Sequence, residues 1–209
     1  MRITLQESFL YFSQFLTNFS YTITISYFPS IAEEKGLSQS ILAIFFALDP
    51  LIGLPTSLLI GKYMCLLGRK QVFVFGLISA GSGFMLLGLV QHSSYLVSLI
   101  LSLLSKVALG VGLGCYMTSG PAILLNLSPN NAEQVIAFLE AVGGIGFLLG
   151  PIIGYKLNET SLGCFFFTGG LFFLYAAFSY TLISIEQSTE TAKERSSYIG
   201  ILKERVKAK

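Results

Sequence analysis

The sequence predicts an all-α integral membrane protein that crosses the bilayer six times as helices, with both ends on the cytosolic side. Three observations carry that reading. Apolar residues fill 53% of the 209 positions against 11% charged, with a mean hydropathy of +0.72, and a chain in water could not hide that much apolar surface. Six segments reach the roughly 20 apolar residues needed to cross a hydrocarbon core. Basic residues cluster in alternate connections, as they do when one side is cytosolic. The net charge of +2 comes with no basic face suited to tracking phosphates, so nucleic acid is not an expected partner. Cys65, Cys115 and Cys164 are too few and too scattered for a disulfide framework or a Cys-x-x-Cys metal spacing. No metal or other cofactor is expected.

The segments run at about 8–31, 39–61, 71–91, 95–125, 135–156 and 163–185, each long enough to span. The first is too long and polar for a signal peptide and is followed by Glu33-Glu34-Lys35, so it reads as a retained span. Its Gln14, Thr17, Asn18, Tyr21 and Thr24 recur at steps of three and four, which puts them on one face that must meet protein or water. That face either lines a polar cavity or makes interhelical hydrogen bonds, worth on average about 0.6 kcal/mol each. The second segment holds Asp49. The third presents Gly76, Ser79, Ala80 and Gly83 on one side as a packing face, and His92 after it falls in a turn, where a lone histidine reads as solvated. The fourth repeats the stripe with Ser98, Ser102, Ser105 and Lys106, and with Tyr116 about three turns on. The fifth carries Glu140 and then Gly143, Gly146, Gly150 and Gly154, spaced for close backbone approach. The sixth runs through Phe165, Phe166, Phe167, Phe172, Phe173 and Phe178 without an ionisable group, the profile of a peripheral, lipid-facing helix.

Arg2, Lys62, Arg69, Lys70, Lys193, Arg195, Lys203, Arg205, Lys207 and Lys209 fall on one face of this arrangement, and only Lys35 and Lys156 on the other. The first face is therefore cytosolic. Asn158-Glu159-Thr160 is a sequon on the outer or lumenal side, in a loop short enough that an unmodified asparagine is expected. Residues 186–209 form a separate basic tail, with Ile199, Leu202 and Val206 at helical spacing beside Lys203, Arg205 and Lys207, as in an interfacial helix on an anionic leaflet. The expected organisation is a bundle over 1–185 and a cytosolic tail over 186–209.

Asp49, Lys106 and Glu140 lie well inside spans, where each ionised Asp or Lys costs roughly 2.5 to 3.5 kcal/mol even on translocon scales. Asp49 and Lys106 sit about ten residues from ends on the same side, a shared depth of about 15 Å that lets them pair. Glu140, about six residues from the opposite surface, sits near 9 Å in a different layer. A carboxylate whose protonation answers to a nearby cation can couple proton release to solute entry, which makes Asp49 and Glu140 candidates. The alternative is a static Asp49–Lys106 pair that only fixes packing. Ser82, between Gly81 and Gly83, lacks a histidine within reach because His92 is in a turn, so an intramembrane hydrolase is not expected.

The stretch Gly61-Lys62-Tyr63-Met64-Cys65-Leu66-Leu67-Gly68-Arg69-Lys70 resembles the signature loop of the major facilitator superfamily, G-x-L-A-D-R-x-G-R-K. Gly61, Gly68, Arg69 and Lys70 agree, whereas Cys65 stands in place of the acid and Leu66 in place of an arginine. Lys106-Val107-Ala108-Leu109-Gly110-Val111-Gly112 is similar to the family's R-x-x-x-G-x-G stretch, with charge kept and the forked geometry lost. Gly146-Phe147-Leu148-Leu149-Gly150-Pro151-Ile152-Ile153-Gly154 is similar to the G-x-x-x-G-P-x-x-G motif of its antiporter branches. Residues 28–38, starting Phe28-Pro29-Ser30, and Glu140 resemble the vesicular amine transporter and drug:proton antiporter branch.

The resemblance implies a bundle of two inverted three-helix repeats, one half of a twelve-helix fold, with spans 1, 2, 4 and 5 toward the cavity. Gly53-Leu54-Pro55 and Gly150-Pro151 echo each other in corresponding helices, where interrupted backbone is expected to line the pathway. It implies a secondary transporter, or half of one, moving a small organic solute, an organic cation among the candidates, coupled to protons in the plasma membrane or a vesicular or vacuolar membrane. Gln14, Asn18, Tyr21, Asp49, Lys106 and Glu140 are the pathway candidates, Gly61, Gly68, Arg69 and Lys70 the gating loop, and Gly146, Gly150, Pro151 and Gly154 the antiporter-like motif. Since the sequence stops after one half, the expected partners besides lipid, solute and protons are a second six-helix half or a second copy of the chain. The alternative is a truncated or regulatory relative that does not transport.

Overall fold

The computed structural model describes residues 4–90, 92–158 and 163–183. Six long helices follow one another: α1 (Leu5–Glu34), α2 (Gln39–Leu67), α3 (Arg69–Val90), α4 (Tyr95–Leu127), α5 (Ala132–Asn158) and α6 (Gly163–Leu182), with a single 3-10 turn at Pro129–Asn131 before α5. Local chemistry sets several of their ends. Thr4 and Glu7 form a capping box at α1, the Thr4 N–H donating to Glu7 Oε2 at 2.8 Å and the Glu7 N–H to Thr4 Oγ1 at 3.3 Å. Ser38 caps α2 by accepting from the Ile41 N–H.

The break between α2 and α3 differs from the loop expected over 62–70. α2 continues six residues past the expected end, through Gly61, and the chain turns at the single residue Gly68, whose φ of 87° favours glycine. Nor is the backbone interrupted at Gly53-Leu54-Pro55 or Gly150-Pro151: α2 runs unbroken through Pro50 and Pro55 and α5 through Pro151. In an apolar setting a broken helix strands more polar backbone groups than one missing proline N–H does, so the helix persists.

Helices α2 to α6 are long and apolar enough to cross a bilayer. α1 is equally long but more polar, because the stripe of hydroxyls and amides lies along it. α1 packs on α5, α2 on α4, α4 also on α3, and α3 on α6. Glycines set these approaches. A Cβ at Gly146 would strike the Phe15 carbonyl of α1, and one at Gly150 would lie 2.8 Å from the Phe19 carbonyl oxygen. A Cβ at Gly114 would lie 2.7 Å from the Gly53 carbonyl oxygen of α2, and one at Gly112 2.7 Å from the Ala80 nitrogen of α3. The small-residue face read in the third segment does pack, Gly76 lying against Gly112 and Ser79 donating to the Ala108 carbonyl at 2.8 Å. α6 rests on α3 through Phe166 against Gly88 and Phe172 against Gly81 and Phe84, and leaves Phe167 and Phe178 exposed. The tail at 186–209, residues 159–162 and the Asn158 side chain lie outside the described residues.

Candidate functional site

Asp49 of α2 and Lys106 of α4 meet in the middle of the bundle, Lys106 Nζ donating to Asp49 Oδ2 at 2.6 Å, with the two side chains 1% and 4% exposed. The approach depends on Gly110, one turn beyond Lys106, where a Cβ would lie 2.8 Å from Ile52 Cβ and 3.1 Å from the Asp49 carbonyl oxygen. Two aromatic rings face the same ammonium: Phe46 at 4.8 Å and Phe28 at 5.9 Å from Nζ to ring centroid. Their negative faces stabilise a desolvated cation. Phe28 also stands edge-on to Phe45 and Phe46, so an aromatic cluster closes the bundle on the side of the charge pair toward the α1–α2 turn.

On the other side a cavity of about 370 Å³ opens along α2 and α4 in the direction of their C-terminal ends. Thr17, Asn18 and Tyr21 line it from α1, Asp49, Pro50, Gly53, Leu54 and Ser57 from α2, Leu113, Gly114 and Met117 from α4, and Phe147 from α5. Leu54, Met117 and Phe147 are exposed at its rim. The volume suits a small organic molecule, and the lining is apolar with a few polar groups and one carboxylate, the usual character of such a site. Asp49 Oδ1 is buried and has no hydrogen-bond partner among the described residues.

The polar stripe of α1 divides between two tasks. Gln14 is buried and accepts from the Tyr116 hydroxyl of α4 at 2.8 Å, with Ser13 Oγ 3.1 Å from the same hydroxyl. That part of the stripe makes interhelical hydrogen bonds. Asn18 and Tyr21 line the cavity, Asn18 steadied by donating to the Gln14 carbonyl at 3.0 Å. Glu140 is exposed on α5 and is not among the residues lining the cavity. Gly68, Arg69 and Lys70 lie at the α2–α3 junction, where Lys70 Nζ stands 4.8 Å from the ring of Tyr180. Gly61 lies on α2. Gly146, Gly150 and Gly154 press α5 onto α1, and the Tyr27 hydroxyl donates to the Pro151 carbonyl at 3.0 Å. Between these glycines Phe147 points the other way, into the cavity.

Sequence reasoning passed over Phe46, Leu113, Met117 and Phe147, because an apolar residue facing a cavity has the same chemistry as one facing lipid. For Phe46 a signal existed: it lies one turn before Asp49 on the same helix face. Glu7 was also missed, although Thr4-x-x-Glu7 has the capping-box spacing. It is 2% exposed and accepts from the Ser128 hydroxyl at the end of α4 as well as from Thr4. Burial pushes its pKa up, but the hydrogen bonds from Ser128 and Thr4 together outweigh that and hold it below its ordinary value.

Comparison with known proteins agrees with this architecture. The family model for the Major Facilitator Superfamily matches residues 10–206. The MFS-type transporter SLC18B1 of Mus musculus is 30% identical over 180 residues, covering 84% of this chain and 39% of that protein. The Homo sapiens protein of the same name is 32% identical over 153 residues, covering 69% and 34%. The quinolone resistance protein NorA of Staphylococcus aureus is 28% identical over 188 residues, covering 88% and 46%. The chain thus spans less than half the length of these relatives. With five apolar helices long enough to span a bilayer and a family match over nearly its whole length, the chain is an integral membrane protein belonging to the major facilitator superfamily.

Proposed function

We propose that the chain is one half of a secondary transporter that moves a small organic solute across a membrane in exchange for protons. The observation that carries this reading is the buried Asp49–Lys106 pair, whose Asp49 lines a 370 Å³ cavity, since a charge pair of no use to transport is expensive to maintain at that depth. An organic cation is the class the cavity suits, with its charge toward Asp49 and its apolar body against Leu54, Leu113, Met117 and Phe147. α1 counts as the sixth span, its polar face turned inward. Two of the pairings support inverted repeats, because exchanging the first three helices for the last three converts α1–α5 packing into α4–α2 packing and maps α3–α6 onto itself, whereas the extensive α3–α4 packing has only a slight counterpart between α6 and α1.

The pathway runs past Asn18 and Tyr21 to Asp49, with Glu140 serving a proton step nearer the surface and the Gly68-Arg69-Lys70 turn acting in gating. A second six-helix half, or a second copy of this chain, closes over the rim formed by Leu54, Met117 and Phe147. Both ends face the cytosol, in the plasma membrane or a vesicular or vacuolar membrane, with residues 1–185 as the bundle and 186–209 as an interfacial tail.

The test is uptake of a panel of organic cations into proton-loaded vesicles, with the chain expressed alone and with a complementary half. Asp49→Asn and Glu140→Gln are expected to abolish proton-linked uptake per molecule of chain at the surface. Unchanged uptake in Asp49→Asn would refute the assignment. The replacement of the loop acid and arginine by Cys65 and Leu66, with α2 helical through both, favours a second reading of a non-transporting membrane module. It predicts no proton-linked uptake with any partner.

A further inference from the structure

Behind the cavity, deeper in the bundle, lies a separate void of about 20 Å³. Thr17, Tyr21, Thr24, Asp49 and Lys106 supply its polar lining, with apolar walls from α3, α4 and α6. A site needs roughly 10 to 15 Å³ of such volume, and two to four polar partners, to hold a water. Both conditions are met. Asp49 uses Oδ2 on Lys106 and leaves Oδ1 buried without a partner among the described residues. The Lys106 ammonium has three N–H donors, one of which goes to Asp49. The Thr17 and Thr24 hydroxyls donate to the Ser13 and Ser20 carbonyls, and a hydroxyl oxygen that has given its hydrogen can still accept.

We infer that this void holds one ordered water, donating one hydrogen to Asp49 Oδ1 and the other to a threonine hydroxyl oxygen, Thr24 or Thr17, and accepting from the Lys106 ammonium. It is a proton station as well as a structural water. Thr17, Tyr21, Asp49 and Leu113 line both the void and the large cavity, so the water is one step from cavity solvent. When it passes a proton to Oδ1 it receives one from the cavity side, and the water is regenerated. The carboxylate is then neutralised without Lys106 leaving the Phe28 and Phe46 rings. The titratable groups facing this station are Asp49, Lys106 and Tyr21. Its role in proton exchange rests on the transport reading, whereas the presence of the water does not.

The experiment is infrared difference spectroscopy of the purified chain in lipid, exchanged between ordinary and oxygen-18 water, which reads internal water directly and requires no transport. An isotope-shifted band from a buried water is expected in the parent chain. It should be lost in Thr24→Ile, which fills the void, and kept in Thr24→Val with a changed frequency. Should Thr24→Ile not fold, Thr17→Val removes one acceptor without adding bulk and is expected to shift the same band. A parent chain with no such band, or a band indifferent to all three substitutions, overturns the inference. If the water is found while Asp49→Asn retains proton-linked uptake, the transport assignment fails and the hydration site stands.

Discussion

Removing one charge of the Asp49–Lys106 pair should cost far more than removing both. In Asp49→Asn the ammonium of Lys106, 1% exposed and bonded at 2.6 Å in the parent chain, keeps its burial and loses its counter-ion. Stranding a buried charge in this way costs about 3 to 5 kcal/mol. At about 2 to 4 °C per kcal/mol for a chain of this size, the loss is about 6 to 20 °C in Tm. Asp49→Leu combined with Lys106→Met replaces the pair by apolar groups of similar volume, a change that is often neutral or stabilising. The double variant should therefore melt within a few degrees of the parent.

The chain suits a thiol-based assay, because it has no tryptophan while Cys115 and Cys164 are buried and free. A thiol-reactive dye lights up as they are exposed, and Cys65→Ser removes the half-buried third thiol. The aromatic rings add an internal check. With Asp49 neutralised, the faces of Phe46 and Phe28 carry a larger share of the cation's support, so Phe46→Leu should destabilise the Asp49→Asn chain more than it destabilises the parent, by up to about 2 kcal/mol. A single Asp49→Asn loss below about 4 °C, or a double variant as unstable as either single one, would show that the pair is wet and would remove the energetic argument for its function.

Three further outcomes follow from the packing and the ends of the helices. Gly146→Ala drives a Cβ into the Phe15 carbonyl, whereas Gly144→Ala meets nothing within 4 Å; the first should cost about 1 to 3 kcal/mol by overpacking and the second should be neutral or gain up to about 1 kcal/mol of helix propensity, both read as shifts in Tm. Tyr116→Phe removes the bonds to Gln14 and Ser13 and should cost about 0.6 to 1.7 kcal/mol while leaving the 370 Å³ cavity intact, so ligand-induced Tm shifts should persist. Glu7 has a folded pKa below its ordinary 4.5, so its stabilisation is present above the unfolded value and is lost as pH falls through the folded one. Melts of Glu7→Gln against the parent should differ at pH 7 and converge as the pH drops below about 4.5.

Charges in apolar runs were the most legible part of this sequence, because lipid makes them expensive and leaves few uses for them. Asp49 and Lys106 could be placed at one depth by counting residues, and the structure puts them 2.6 Å apart. The glycine stripe of α5 was legible for a similar reason: spacing alone says which side admits another backbone, and Gly146, Gly150 and Gly154 do meet α1. The cavity wall was not legible. Leu113 and Met117 are apolar like Leu103 and Leu104, which face outward, and it is the rotation of α4 set by Gly110, Gly112 and Gly114 that tells them apart. The end of α2 lies beyond the expected one because residues of a loop motif can continue a helix. Gly61 tolerates helical geometry, and only Gly68, at positive φ, requires a turn.

The distribution of stiff and soft contacts bears on how such a half can work. Within the α1–α5 pair and within the α2–α4–α3–α6 group, glycines bring backbone against backbone, and a shift of a few tenths of an ångström there meets steep repulsion. Between the two groups the contacts are sparser and largely side-chain in kind: Tyr116 to Gln14 and Ser13, Glu7 to Ser128, and the shared lining of the cavity. The cavity lies along that seam, with Asn18, Tyr21 and Phe147 on one side and Asp49, Leu113 and Met117 on the other. Asp49 and Lys106 both belong to the second group, so relative movement across the seam reshapes the cavity without stretching the ion pair. Both members of the charge pair are thus fixed within one group, while the cavity wall beside Asp49 is shared between the two. On the transport reading proposed above, a charge pair held within one group and a wall shared between two is the arrangement proton-coupled binding would need, because the solvation of Asp49 could then change while its counter-ion stays in place.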